Sequence, residues 1–169
     1  MRNKLALFVY CLICNIPVCL ALCVAAAFLG VRTIDNGVVI INLNQINWGN
    51  VFLNFAVGMA IATIVGNFVH LGNIGRWFTA LFKVPNVTYE GNMKYRLLAT
   101  LIITLIYFIF ISPSLTLFNY FVLKIFDSPQ DAILSFFINM PTMLIVGFVT
   151  SLIFDLPAYQ VAHKIDNNF

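Results

Sequence analysis

Four stretches without a single Asp, Glu, Lys or Arg, residues 5–29, 50–71, 97–123 and 132–154, take up most of this chain. Each reaches or exceeds the roughly 20 residues that a helix needs to cross the hydrocarbon core of a bilayer. In lipid no water is at hand for exposed backbone N–H and C=O groups, so segments of this length are expected as transmembrane helices. Composition agrees: 62% of the 169 residues are hydrophobic and 9% charged, a surface that a water-soluble domain of this size could not cover. The net charge of +3 follows from the placement of the loops, and no nucleic-acid signature accompanies it.

Orientation follows from the basic residues, which are retained on the cytoplasmic side during insertion. Arg2 and Lys4 precede the first span, Arg76, Lys83, Lys94 and Arg96 lie between the second and third, and Lys164 follows the fourth. Only Arg32 and Lys124 sit in the other two loops, so both termini are expected in the cytoplasm. The basic start and Ala25-Ala26-Ala27 also fit a cleaved signal peptide, but the first apolar run exceeds the usual h-region of roughly 7–15 residues. "LALC" at 20–23 places the large Leu22 before the cysteine, against a lipoprotein cleavage box.

The chain repeats itself. "MAIATIVG" at 59–66 returns as "MPTMLIVG" at 140–147, and the ungapped alignment of 50–84 with 131–165 also matches Leu53 with Leu134, Phe55 with Phe136, Leu71 with Leu152 and Lys83 with Lys164. The first and third spans align less well, although each follows a basic pair and contains a proline. Two helices per copy return the chain to the same side, so both copies share one orientation and a pseudo-two-fold axis along the membrane normal is expected. The expected fold is an all-α integral membrane protein, four transmembrane helices arranged as two parallel-repeat hairpins. Residues 1–84 form the first repeat with an amphipathic tail, 85–92 a linker, and 93–169 the second repeat.

"NWGNVFLNFAVGMAIATIVG" and "DAILSFFINMPTMLIVGFV", followed by the tails "RWFTALFK" and "LPAYQVAHKI", resemble a family of small bacterial membrane proteins with tandem two-helix repeats, classed as a domain of unknown function. The likeness extends over most of the chain. It implies a bacterial plasma (inner) membrane location and no known chemistry. The family's tail commonly carries a Gly-Pro pair, where this chain has Leu156-Pro157 in one copy and Arg76 at the matching position of the other.

Small residues recur at intervals of four. Cys11, Asn15, Cys19, Cys23 and Ala27 draw a stripe along the first helix, Gly58, Ala62 and Gly66 along the second, and Gly147 and Ser151 continue the pattern on the fourth. Such stripes let helix backbones approach, and packing is their expected role. In "NIGRWFTALFKV", Ile74, Trp77, Phe78, Leu81 and Phe82 fall at helical spacing while Arg76 and Lys83 face elsewhere. That reads as an interfacial amphipathic helix, or a bent extension of the second span, anchored by Trp77, Phe78, Leu81 and Phe82 and ended by Pro85. The alternative use of that face is docking of a partner. Lipid is the expected environment, with a second copy or another membrane protein as the expected protein partner.

The intramembrane polar residues are amides and hydroxyls. Asn54, Ser112, Ser114, Thr116, Asn119, Ser135 and Asn139 all fall in the outer half, where they serve either as interhelical hydrogen bonds or as the lining of an outward-facing pocket for a neutral or cationic solute. Pro113 and Pro141 leave the carbonyls of Ile109 and Phe137 in need of other partners, which neighbouring Ser or Thr could supply. Asp155 and His70 are placed at cytoplasmic helix ends, where solvation is the ordinary expectation. Cys11-Leu-Ile-Cys14 has redox spacing, but thiols in an apolar helix behave as small hydrophobes. No metal-ligand cluster, cofactor fingerprint or acid-base pair appears, so neither a metal nor a cofactor is expected and no enzymatic role is assigned. "NVT" at 86–88 is a formal glycosylation sequon on the cytoplasmic side. Asp35-Asn36-Gly37 between β-prone runs is placed as a hairpin turn, Trp48 suits the interface, and the loop they share is either a connector or a short lid.

Overall fold

The computed structural model describes residues 4–35, 38–69, 71–84 and 92–166. Five helices fill it: α1 (Lys4–Gly30), α2 (Trp48–Phe68), α3 (Leu71–Leu81), α4 (Met93–Phe121) and α5 (Pro129–Ile165). All but α3 are long and apolar enough to cross a membrane. Between α1 and α2, strands β1 (Arg32–Asp35) and β2 (Val38–Ile41) pair antiparallel with Arg32 opposite Ile41 and Asp35 opposite Val38. The intervening Asn36 and Gly37, expected as the turn, lie outside the described residues, as do His70, Pro85 and the sequon.

The starts of three helices are written in side chains. Asn47 Oδ1 accepts from the Asn50 N–H at 3.3 Å, Asn92 Oδ1 from Tyr95 at 3.2 Å, and Ser128 Oγ from Asp131 at 3.1 Å, with Pro129 in the first turn of α5. Each cap satisfies one of the N–H groups that a helix start leaves without an intrahelical partner. At the other end of α3, Lys83 turns left-handed (φ 54°) and Val84 N–H reaches back to the Thr79 carbonyl at 3.3 Å. The helix therefore ends at Leu81, ahead of Pro85.

The four long helices form a ring. α1 packs on α2 and α5, and α4 packs on α2 and α5, leaving α1 diagonal to α4 and α2 diagonal to α5. The contact between α1 and α5 is the most extensive. The stripe Cys11, Asn15, Cys19 and Cys23 is buried along α1, as are Gly58, Ala62 and Gly66 on α2 and Gly147 on α5. Cys19, Ala62 and Ile111 make one core cluster, and Cys23, Ile46 and Val51 a second one nearer the hairpin. At Gly66 a Cβ would lie 2.8 Å from the Tyr107 hydroxyl and 3.0 Å from Cys11 Sγ, so glycine is what lets α1, α2 and α4 meet there. Large apolar side chains face outward instead: Phe52, Phe68, Ile109, Phe121 and Ile145 are each more than 60% exposed. Exposed apolar side chains of this number fit surroundings of lipid or of another protein.

The basic tail of the second copy is no separate element, because α5 runs unbroken for 37 residues through Pro141 and Pro157, about 55 Å at ~1.5 Å per residue. The face of α3 that packs on α4 is made of Gly75 and Thr79, with Gly75 in van der Waals reach of Ala99, while Trp77, Leu81 and Phe82 stay exposed and Phe78 half-buried. Small residues allow the close approach, and the aromatic face is left for whatever surrounds the bundle.

Candidate functional site

Inside the ring lies a cavity of about 1300 Å³ that runs from the hairpin end, at Arg32, Gln45 and Asn47, to the end carrying Arg76, Asp155 and Tyr159. Its wall is mostly apolar, interrupted by polar groups from every long helix. Of the residues expected in the outer half, Asn54, Ser112, Thr116, Asn119, Ser135 and Asn139 line it. Ser114 does not: its hydroxyl donates to the Phe110 carbonyl at 2.7 Å, one residue past the Ile109 carbonyl that Pro113 was expected to release.

The amides at the hairpin end are held by their own helices. Asn54 Nδ2 donates to the Asn50 carbonyl at 2.9 Å, and Asn139 Nδ2 to Ser135 Oγ at 3.1 Å. A backbone carbonyl can only accept, so the orientation of the Asn54 amide is fixed by its partner. What remains are the side-chain oxygens. Asn54 Oδ1, Asn119 Oδ1 and Asn139 Oδ1 are buried atoms without a hydrogen-bond partner, and all three belong to cavity-lining residues. A buried acceptor left alone costs about 1–3 kcal/mol, so three around one space call for a donor to fill it.

Farther in, the cavity meets groups that sequence reasoning either gave another role or passed over. Asn15, buried on α1, also lines the cavity with its Nδ2 unpartnered. Thr100 and Thr104, 4% and 8% exposed, line it with unpartnered hydroxyls. Asp155, expected to be solvated, is 5% exposed and accepts a hydrogen bond from the Tyr10 hydroxyl across the α1–α5 contact. Its position in the alignment hid this, because the matching residue of the first copy is Ile74. Arg96 sends Nη2 to the Leu152 carbonyl at 3.2 Å and is not part of the cavity wall. The four cysteines are free thiols; Cys11, Cys14 and Cys23 reach the cavity and Cys19 does not.

The hairpin loop takes part as well. Val31, Arg32, Gln45, Ile46 and Asn47 border the cavity, so this loop forms part of its wall. No family model, no curated protein and no solved structure matches the chain.

Proposed function

We propose that the chain is a multi-pass membrane protein, built as two hairpins of one orientation, that binds or transports a small neutral or cationic solute through the hairpin end of its cavity. The carrying observation is the set of three unpartnered amide oxygens at Asn54, Asn119 and Asn139. Acceptors without partners select a ligand that brings N–H or O–H donors, such as a polyol or an alkylammonium ion, and disfavour an anion. The role is non-enzymatic: binding, and movement of what is bound.

The order of packing supports the doubled architecture. A two-fold axis would exchange the α1–α2 contact with α4–α5 and the α2–α4 contact with α5–α1, and those are the neighbours found. The placement of Lys4, Arg76, Lys83, Arg96 and Lys164 toward one end supports an orientation with that end in the cytoplasm of a bacterial cell and the hairpin outside.

The test uses the purified full-length chain and its thermal stability against a panel of polyols and alkylammonium salts. The reading expects concentration-dependent stabilisation by at least one compound, lost in the Asn54→Leu/Asn139→Leu variant. Stabilisation that survives the double substitution, or none from any compound, overturns it. A second reading, an accessory subunit acting on another membrane protein, draws on the exposed aromatic face of α3. A partner that copurifies and is released by Trp77→Ala/Phe82→Ala would favour it.

A further inference from the structure

The unmet polar atoms of the cavity extend well past the amides of its hairpin end. Among the described residues, the buried side-chain polar atoms without a partner are those of Asn54, Asn119, Asn139, Asn15, Thr100 and Thr104, together with Arg96 Nε, and all of these residues but Arg96 line the cavity. We propose that the cavity is a hydrated passage from one end of the bundle to the other, and that its solute is an uncharged polyol crossing down its own gradient. The proposal rests on the reading that the cavity takes a solute; it narrows the class and adds a path.

Three observations carry it. The first is the spread of the unmet atoms. Asn119, Thr104 and Thr100 share α4, and from the first to the last is 19 residues, about 28 Å at ~1.5 Å per residue. The hydrocarbon core of a bilayer is ~30 Å thick. On the α1 side, Cys19 Sγ lies 3.9 Å from where a Cβ on Gly58 would stand and Cys11 Sγ 3.0 Å from one on Gly66. Asn15, midway between the two cysteines, is therefore level with Ala62, about two turns farther in than Asn54. Exposed polar side chains border the space at both ends: Gln45, Asn47 and Asp131 at one, Asn67, Asn73 and Arg76 at the other.

The second is the behaviour of the threonines. Thr63, Thr79 and Thr116 each turn their hydroxyl back onto the carbonyl four residues earlier, at 2.8, 3.0 and 3.0 Å. That is the usual resting place of a hydroxyl on a helix in an apolar setting. Thr100 and Thr104 have the same local option, yet both hydroxyls are unpartnered, more than nine-tenths buried, and on the cavity wall one turn apart. Hydroxyls that forgo the local bond on a cavity wall are placed to bond what the cavity holds.

The third is the mixture of donors and acceptors. Asn54, Asn119 and Asn139 present oxygens that accept, Asn15 a nitrogen that donates, and the threonine hydroxyls do either. The hydroxyls of a polyol also do either, so such a solute satisfies each group in turn, as water does, whereas an ammonium group has nothing with which to accept from Asn15. Between the polar points the wall is hydrocarbon, with Val18, Leu22, Ile103, Phe108 and Met143 among its residues. A net charge passing them would lose its hydration at high cost, while the carbon chain of a polyol rests against them. Asp155, on the same wall, is engaged by Tyr10. A wholly apolar cavity stays dry, but a water needs only about 10–15 Å³ and two to four polar partners. A space of about 1300 Å³ with polar atoms along its length meets both conditions.

The experiment reconstitutes the full-length chain in liposomes and follows uptake of radiolabelled erythritol and of tetramethylammonium, with potassium and valinomycin holding the membrane potential at zero. Erythritol is expected to enter at least about tenfold faster than tetramethylammonium, and at least about tenfold faster than it enters protein-free liposomes, a difference of one decade in the barrier's rate scale. Thr100→Val/Thr104→Val, which keeps the shape of the wall, should slow erythritol at least about fivefold, the scale of one net hydrogen bond lost along the path. Erythritol entry no faster than into protein-free liposomes overturns the proposal without any variant having to fold, as does tetramethylammonium entry as fast as that of erythritol. Erythritol entry indifferent to Thr100→Val/Thr104→Val in a folded protein overturns it too. Stabilisation by a polyol that is lost in Asn54→Leu/Asn139→Leu, without entry, would leave the hairpin-end reading standing and remove this one. Entry that needs the threonines but ignores those amides would do the reverse.

Discussion

Residues 50–84 and 131–165 align without a gap, yet the first segment folds as two helices, α2 and α3, and the second as the single helix α5. The difference is local. Where the first copy reads Gly72-Asn73 and Gly75, the second has Ile153-Phe154 and Leu156. Each glycine costs a helix interior about 1 kcal/mol relative to alanine, and asparagine is also among the weaker helix formers. These residues lie inside α3, past the break that follows Phe68, and at Gly75 α3 closes on α4, where a Cβ would lie 3.5 Å from that of Ala99. The second runs on and carries Asp155 into the α1–α5 contact. The lesson is that two segments alike in sequence fold differently where a few residues within them differ.

The matched pair Gly66 and Gly147 offers the strongest way to break that comparison. Gly66→Ala pushes a methyl group to 2.8 Å from the Tyr107 hydroxyl, so over-packing should cost about 1–3 kcal/mol, read as a lower unfolding midpoint in detergent. At Gly147 the nearest atom to a Cβ is Leu22 Cδ2 at 3.5 Å, an ordinary contact, so Gly147→Ala should be neutral or stabilising by up to ~1 kcal/mol. Equal effects at the two sites would contradict the unequal packing of the copies.

A smaller effect follows from giving the first copy the second copy's residue. Gly75→Leu should lift α3 from α4 and speed hydrogen exchange over residues 71–81, at a cost of roughly 1–2 kcal/mol; unchanged protection would mean that α3 is held by other contacts. Smallest of all is Ser114→Ala. Its hydroxyl bonds only within α4 and misses the cavity, so stability should move by less than about 0.5 kcal/mol and ligand-induced stabilisation not at all.

Much of this arrangement is legible in the residues. Length and absence of charge place the four long helices within a few positions, since lipid selects strongly for both. The small-residue stripes mark the faces that become buried. The strands on either side of Asn36-Gly37 pair in the register expected of a two-residue connection. Other features depend on non-local contacts. The continuity of α5 through Pro157 opposes the local rule that proline disfavours a helix interior, and nothing within the tail itself announces it. Asp155 at the edge of an apolar run reads as a solvated end until α1 brings Tyr10 beside it. Thr100 and Thr104 look like ordinary helical threonines because whether a hydroxyl bonds back or points into a cavity is decided by neighbouring helices. For Asn54, the helix-internal bond of its Nδ2 explains why its oxygen is left over.

The central claim is that polar positions on α2 face an enterable space while their neighbours face lipid. In a chain whose four cysteines are replaced by alanine, Asn54→Cys and Phe52→Cys can be compared for labelling by a charged, membrane-impermeant thiol reagent in sealed vesicles. Phe52 is 69% exposed on the outside of the bundle and absent from the cavity wall. The account predicts rapid labelling at position 54 from the hairpin side, slowed by bound ligand, and little at 52. Labelling at 52 with none at 54 would contradict it.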